Sequence, residues 1–288
     1  MASTLTVPSE VKGWRDLLPH GIVHTLLLGG SVVFLFPLLW MLGTSLKPLE
    51  NTMVMPPQWW PDPVQWCNYI DAIRYIDFLT YTRNSLFVCV LSVAGTVISS
   101  SLVAYGFSRI EWKGRDALFI LTLSTMMVPF PVLMVPLYGV FRELHWIGTL
   151  MPLWVPAFFG SAFNIFLLRQ FFMGIPKDLT EAAHIDGCSH PRIWGTLILP
   201  LSKSALAVVA LFQFIYSWND FLGPLLFLTK QEQFTLALGL QFYQSQNNGT
   251  EWHMLMAAST LAALPIILLF FFTQKTFIQG IAMTGLKE

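Results

Sequence analysis

Charge is what this sequence lacks most. Asp, Glu, Lys and Arg make up 11% of its 288 residues, less than half of the roughly 25% usual in soluble domains. Lys and Arg number 16 and Asp and Glu another 16, so no field of one sign is left over for nucleic acid. Cysteine is scarce too. Cys67, Cys89 and Cys188 fall in separate segments, and no pair has the spacing of a metal clip or a disulfide scaffold. Among the six histidines, His184 and His190 come nearest to a functional arrangement, but no Cys-x-x-Cys or carboxylate–histidine cluster completes a zinc site there. There is also no G-x-x-x-x-G-K-[ST] phosphate loop, which excludes ATP binding by that route.

What is present is apolar surface. Hydrophobic residues make up 55% of the chain, with 24 Phe and 11 Trp, more than one water-soluble core buries. Composition therefore points to an integral membrane protein. A helix crosses a bilayer with about 20 mainly apolar residues, and six segments qualify: approximately 21–46, 84–106, 117–141, 149–173, 205–229 and 254–273. The first follows a polar stretch with Glu10, Lys12, Arg15 and Asp16. It is too long for a signal-peptide core and no small-residue cleavage site follows it, so it reads as an uncleaved span. Barrel strands alternate every second residue, whereas LLLGGSVVFLFPLLWML is apolar all round. The expected fold is an all-α membrane domain of six helices over 21–273, with tails at 1–20 and 274–288. Pro129, Pro136 and Pro265 are expected to kink the third and sixth spans.

An even number of spans puts both termini on one side, and basic residues choose which. The termini, 107–116 and 174–204, with Arg169 at the edge of the fourth span, hold eleven of the 16 Lys and Arg. The opposite side holds five. The expected orientation has both ends in the cytoplasm, Cys67 outside and Cys188 inside. Outside lies the aromatic loop 47–83, whose Trp59, Trp60 and Trp66 suit the headgroup region or a docking surface.

The loop 174–204, GIPKDLTEAAHIDGCSHPRIWGTLILPLSKS, is too polar to cross yet has helix grammar. Pro176 suits a first turn, Asp178 complements a helix N-terminus, and Gly187 suits a left-handed stop. Ser189 suits the cap of a second short helix ending before Pro200. On the first helix, Leu179, Ala182, Ala183 and Asp186 share one side at i, i+3, i+4 and i+7. Small alanines beside a carboxylate let another protein approach closely; the plainer alternative is an amphipathic connector on the membrane surface.

EAAHIDGCSHPRIWGTLILP resembles the EAA motif of the membrane subunits of binding-protein-dependent ABC importers: Glu181, Ala182, Ala183, Asp186, Gly187, Leu199 and Pro200 occupy its places. AYGFSRIEWKGR at 104–115, LRQFFMGIP at 168–176, YSWNDFLGPL at 216–225 and the ending FIQGIAMTGLKE are similar to sugar-permease signatures of the maltose-type smaller permease, in the oligosaccharide and glycerol-phosphate branch. His184 stands where Arg is common, and His190-Pro191 where a Pro–aromatic pair is more usual.

The resemblance implies a type I importer permease in the cytoplasmic (inner) membrane of a bacterium or archaeon. It implies no catalytic residue, metal or cofactor on this chain, with ATP and Mg bound by two partner ATPase subunits that receive the EAA helix. A second homologous permease would complete the pathway, and an extracytoplasmic solute-binding protein would deliver a sugar or related polyol or glycerol-phosphate compound.

Two other classes fit the composition. An ion-coupled secondary transporter carries ionisable groups at midplane, for which Asp220 is the strongest residue. An intramembrane hydrolase needs a nucleophile–base pair, and the helpers in the spans, His24 and Asp220, sit at opposite ends. In the fifth span Gln213, Tyr216, Asn219 and Asp220 form a polar stripe at helical spacing, with Asn164 and Ser161 in the fourth. They read either as a sugar path, with Tyr216 stacking on rings and amides bonding hydroxyls, or as bonds between helices. Asn219-Asp220 before Gly223-Pro224 also marks a place for a kink. The spans hold no Lys or Arg away from their edges, which disfavours a phosphorylated substrate held mainly by this chain.

The last loop, TKQEQFTLALGLQFYQSQNNGTEWH, has an apolar centre, LALGL, too short to cross and expected at the interface. After it, Gln241, Tyr243, Gln244, Gln246, Asn247, Asn248 and Gly249 form an amide-rich run that builds no core. By resemblance, the corresponding loop reaches into the binding protein and helps dislodge the sugar.

Overall fold

In a computed structural model, residues 14–245 and 249–285 are described. Helices dominate: α1 (Trp14–Ser45), α2 (Cys67–Tyr75), α3 (Phe78–Arg109), α4 (Arg115–Ser124), α5 (Phe130–Glu143), α6 (Met151–Trp154), α7 (Ala162–Met173), α8 (Lys177–Ile185), α9 (His190–Ile193), α10 (Leu199–Leu201), α11 (Lys203–Asn219), α12 (Leu222–Phe227), α13 (Leu236–Gly239) and α14 (Trp252–Gly285). Between α13 and α14 a small antiparallel hairpin pairs β1 (Gln244–Ser245) with β2 (Gly249–Thr250), Gln244 opposite Thr250.

Four stretches are long and apolar enough to cross a membrane: Gly21–Ser45, Phe78–Arg109, Met151–Met173 and Trp252–Gln274. Two more qualify as broken pairs, Arg115–Met127 with Phe130–Glu143 bent by 101°, and His190–Leu201 with Lys203–Asn219 bent by 84°. The kink expected at Pro129 is a full break between α4 and α5, and a second bend falls at Ser202, just ahead of the segment 205–229. At the first break Val128 is extended (ψ 113°) ahead of Pro129, because the proline ring disfavours the helical region for the residue before it. Pro136 and Pro265 lie inside α5 and α14. In the fifth span, α11 stops at Asn219, Asp220 is extended (ψ 116°), and a new helix starts at Leu222.

The helix α3 is the centre of the fold. It packs against α11, α7 and the 3-10 turn Val155–Phe159. Small residues make this close approach possible: a Cβ added at Gly95 would lie 2.5 Å from the Phe158 ring. One core, at the hairpin end, gathers Tyr81, Cys89, Trp218, Leu236, Tyr243 and Ala258. A second, at the α8 end, gathers Tyr105, Phe119, Leu168, Phe172, Ile193 and Val209. LALGL packs into the protein: Leu236 and Leu238 are buried, and the Leu236 N–H donates to Ser85 Oγ at 2.8 Å. Burying α13 this way satisfies both its apolar side chains and a backbone donor.

By contrast, α1 keeps its apolar window unburied within the chain, with Phe34 86% exposed, and packs mainly on α14. Beyond it, Lys47 is buried, donates to the Gln58 carbonyl and lies 4.3 Å from the Trp40 ring centroid. Burial lowers its pKa. Trp59 packs edge-on against Trp40 at 5.4 Å yet stays exposed, as do Trp60 and Trp66.

Candidate functional site

The residues singled out in the sequence fall at three places. The first is α8. Its N-cap is Pro176, with Asp178 in the first turn, and Gly187 adopts φ +79° just past its end. There the Cys188 N–H donates to the Ala183 carbonyl at 2.9 Å and the Gly187 N–H to that of His184 at 3.0 Å, the paired bonds of a Schellman stop. Glu181, Ala182, Asp186 and Gly187 are exposed, together with Leu179 and Ile185, which is 87% exposed. Ala183 instead turns toward the body of the protein beside buried Thr180. The outward face therefore uses Ile185 where the spacing argument used Ala183.

Leu199 and Pro200 sit on the next helical run, which continues through Pro200 to Leu201 because Trp194–Ile198 forms a π-helical stretch. Such widened turns leave out a hydrogen bond, so the proline's missing N–H does not end the helix. Ser189 occupies the N-cap position of α9 with no side-chain cap bond. His190 Nδ1 lies 3.0 Å from the Tyr105 hydroxyl, which ties α9 to α3, and His184 meets His190 edge-on at 4.6 Å. No group of three or more His, Cys, Asp or Glu among the described residues is placed to hold a metal ion. At the entry to α8, Arg109 donates to the carbonyls of Phe172 and, at 2.6 Å, Ile175.

The second place is a cavity of about 510 Å³ between α3, α5, α7, α11, α12 and 152–161. Asn164, Gln213, Tyr216, Asp220 and Ser161 all line it. Asn219 does not: its side chain donates to the Ile215 carbonyl at 2.8 Å on an exposed face. Asp220, beyond the end of α11, caps α12 by accepting the Gly223 N–H at 3.0 Å. Thr96 of α3 also lines the cavity. Sequence reasoning missed it, because a lone threonine in an apolar span gives no periodic signal.

The third place is the hairpin. Tyr243 sits at its root, fully buried, donating to the Ala72 carbonyl at 2.7 Å and stacked on Tyr75 at 5.4 Å. Burial pushes its phenol pKa well up. Gln241, Gln244 and Gly249 are exposed, Gly249 with φ +85°, a backbone that favours glycine. Gln246, Asn247 and Asn248 lie outside the described residues.

The family described as binding-protein-dependent transport system inner membrane component matches residues 95–283. The arabinooligosaccharides transport system permease protein AraQ of Bacillus subtilis is 35% identical over 260 residues, covering 89% of this chain and 92% of that protein. The trehalose/maltose transport system permease protein MalG of Thermococcus litoralis is 32% identical over 260 residues, with 89% and 93% covered. In fold the chain is similar to a crystal structure of a bacterial ABC transporter involved in the import of the acidic polysaccharide alginate. That match has a TM-score of 0.80 and 24% identity, and covers 93% of this chain and 99% of that one. A mostly helical, multi-pass membrane domain that matches this family over most of its length defines the permease class. This chain belongs to the family of binding-protein-dependent transport system inner membrane components. It is a non-catalytic subunit with the type I ABC importer permease fold, which sets aside the ion-coupled transporter and the intramembrane hydrolase.

Proposed function

We propose that this chain is the permease subunit of an ATP-driven importer of a sugar or a related polyol compound, working with a second homologous permease, two ATPase subunits and an extracytoplasmic solute-binding protein. The observation that carries this reading is α8, a short helix with an exposed apolar and acidic face and a Schellman stop at Gly187. Exposed Leu179 and Ile185 on a polar loop call for a protein partner, and Glu181, Ala182, Asp186 and Gly187 supply a docking face. Ala183, Leu199 and Pro200 hold that face against the membrane domain. ATP and Mg belong to the ATPase. The basic-residue asymmetry supports cytoplasmic termini, with α8 on the same side and the hairpin opposite.

The AraQ and MalG relatives, permeases of arabinooligosaccharide and trehalose/maltose transport systems, support a carbohydrate substrate. Asn164, Gln213, Tyr216 and Asp220 give it a polar, partly aromatic path at the cavity, with Asn219 at its rim. At the hairpin, Gln244, Gln246, Asn247, Asn248 and Gly249 form the part that enters the binding protein, and Tyr243 anchors it. Purification of the tagged chain from its native membrane tests the reading: an ATPase subunit co-purifies, and reconstituted complexes hydrolyse ATP faster when sugar-loaded binding protein is added. A chain that purifies without any ATPase, or hydrolysis indifferent to binding protein, overturns it.

A further inference from the structure

Backbone groups left over at helix ends and short turns at membrane depth must find their hydrogen bonds inside the protein, and α3 supplies partners for the stretch 153–161, where α6 runs through the 3-10 turn Val155–Phe159 to the non-helical Gly160 and Ser161. Ser92 Oγ donates to the Leu153 carbonyl at 3.2 Å, Ser99 Oγ donates to that of Ala157 at 3.0 Å, and Ser100 Oγ accepts the Ser161 N–H at 3.3 Å. Thr96 lies one turn from Ser92 and one from Ser100, yet it takes no part. It is 1% exposed and its Oγ1 has no partner. Asn164 of α7 is 4% exposed, and its Oδ1 has none either. Both side chains line the same 510 Å³ cavity. Buried polar atoms are almost always paired, so two orphans lining one cavity mark a place for polar atoms that arrive from outside the chain. Thr96 offers a donor and an acceptor, the Asn164 oxygen an acceptor, and Gln213 and Tyr216 face the same space. Phe163 and Phe212 complete an apolar wall. Hydroxyls on an apolar ring face are what this combination fits, a pattern general to small-molecule sites.

Charge narrows the class. Among the described residues Asp220 is the one carboxylate lining the cavity, and no Lys, Arg or His lines it. A second carboxylate brought into such a space meets repulsion with no cation to offset it, and rejection of a competitor is half of specificity. We propose that Thr96, Asn164 and Gln213 form a hydroxyl-binding subsite for a neutral saccharide on this chain itself, and that Asp220 excludes acidic saccharides from it. This deepens the importer reading above and rests on it.

The test uses the full complex of both permeases and the ATPase subunits, first in proteoliposomes with the binding protein, then in detergent without it. Probes are neutral trisaccharides of hexoses and pentoses, with trigalacturonate as the acidic counterpart. In detergent, Thr96→Val and Asn164→Leu weaken direct binding of the transported neutral trisaccharide about five- to ten-fold each, the worth of one hydrogen bond. Thr96→Ser, which keeps the hydroxyl, restores most of it. Asp220→Asn keeps an oxygen for the Gly223 N–H and removes the charge, so the neutral-to-acidic preference narrows about ten-fold. If the wild-type complex transports no saccharide, the importer reading falls and takes the subsite with it. If it transports a neutral trisaccharide while Thr96→Val and Asn164→Leu bind it like wild type, the subsite alone is overturned, the orphan oxygens being met by water. A preference unchanged in Asp220→Asn overturns the charge filter, as does a wild-type complex that favours trigalacturonate.

Discussion

The phenol of Tyr243 donates to the Ala72 carbonyl at 2.7 Å while its ring stacks on Tyr75 with centroids 5.4 Å apart. This pair fixes the root of the β1–β2 hairpin to α2 and, through the Glu251 N–H bonded to the Tyr243 carbonyl at 3.0 Å, to the start of α14. A loop of amides and small residues has no core of its own, so its aim depends on that root.

Tyr243→Phe keeps the stacking and removes the donor, a buried hydrogen bond worth about 1 kcal/mol. Amide hydrogen exchange at 243–251 is expected to quicken about five-fold, with α3 and α11 unchanged. Unaltered exchange there would show that stacking alone holds the root.

Shortening 244–249 removes the exposed amides while sparing Tyr243. Membrane insertion and the binding protein's own affinity for sugar stay as in wild type, whereas transport and sugar-stimulated ATP hydrolysis drop at least ten-fold. Transport at the wild-type rate would make the hairpin a mere connector.

Much of this architecture is legible in the residues, for physical reasons that differ by element. Twenty-residue apolar runs announce spans because bilayer thickness demands them, and Pro176, Asp178 and Gly187 announce α8 because helix ends leave backbone groups that particular residues satisfy. The breaks are less legible. An apolar run has the same composition whether it passes straight or turns, so the 101° bend between α4 and α5 shows in sequence only as Pro129. Burial within a loop is also hidden. Tyr243 and LALGL look like exposed connector, and only the packing of α2 and α3 over them makes them core. Thr96 is the extreme case: its neighbours on α3 bond to a segment some sixty residues away in sequence, and its own lack of a partner exists only in three dimensions.

The three cysteines report the orientation. Cys67 is exposed, Cys89 is buried and Cys188 is partly exposed. An impermeant maleimide added to intact spheroplasts is expected to label Cys67, and to reach Cys188 only after permeabilisation. Cys89 stays unlabelled in both. Labelling of Cys188 in intact cells would reverse the topology.

At Gly187 two substitutions separate backbone strain from docking. Its φ of +79° favours glycine, but nothing lies within 4 Å of an added Cβ, so the fold itself leaves the position open. Gly187→Ala then costs about 1 kcal/mol of left-handed strain and no clash, and it is expected to keep at least a third of wild-type transport. Gly187→Trp pays the same backbone cost but sets an indole beside Asp186 on the outward face of α8. Transport and ATPase co-purification are expected to fall below a tenth of wild type, at unchanged abundance in the membrane. Equal losses in both variants would place the defect in the helix stop. Wild-type transport by Gly187→Trp would remove α8 as the docking surface, since no close protein interface accommodates an indole in place of a hydrogen atom.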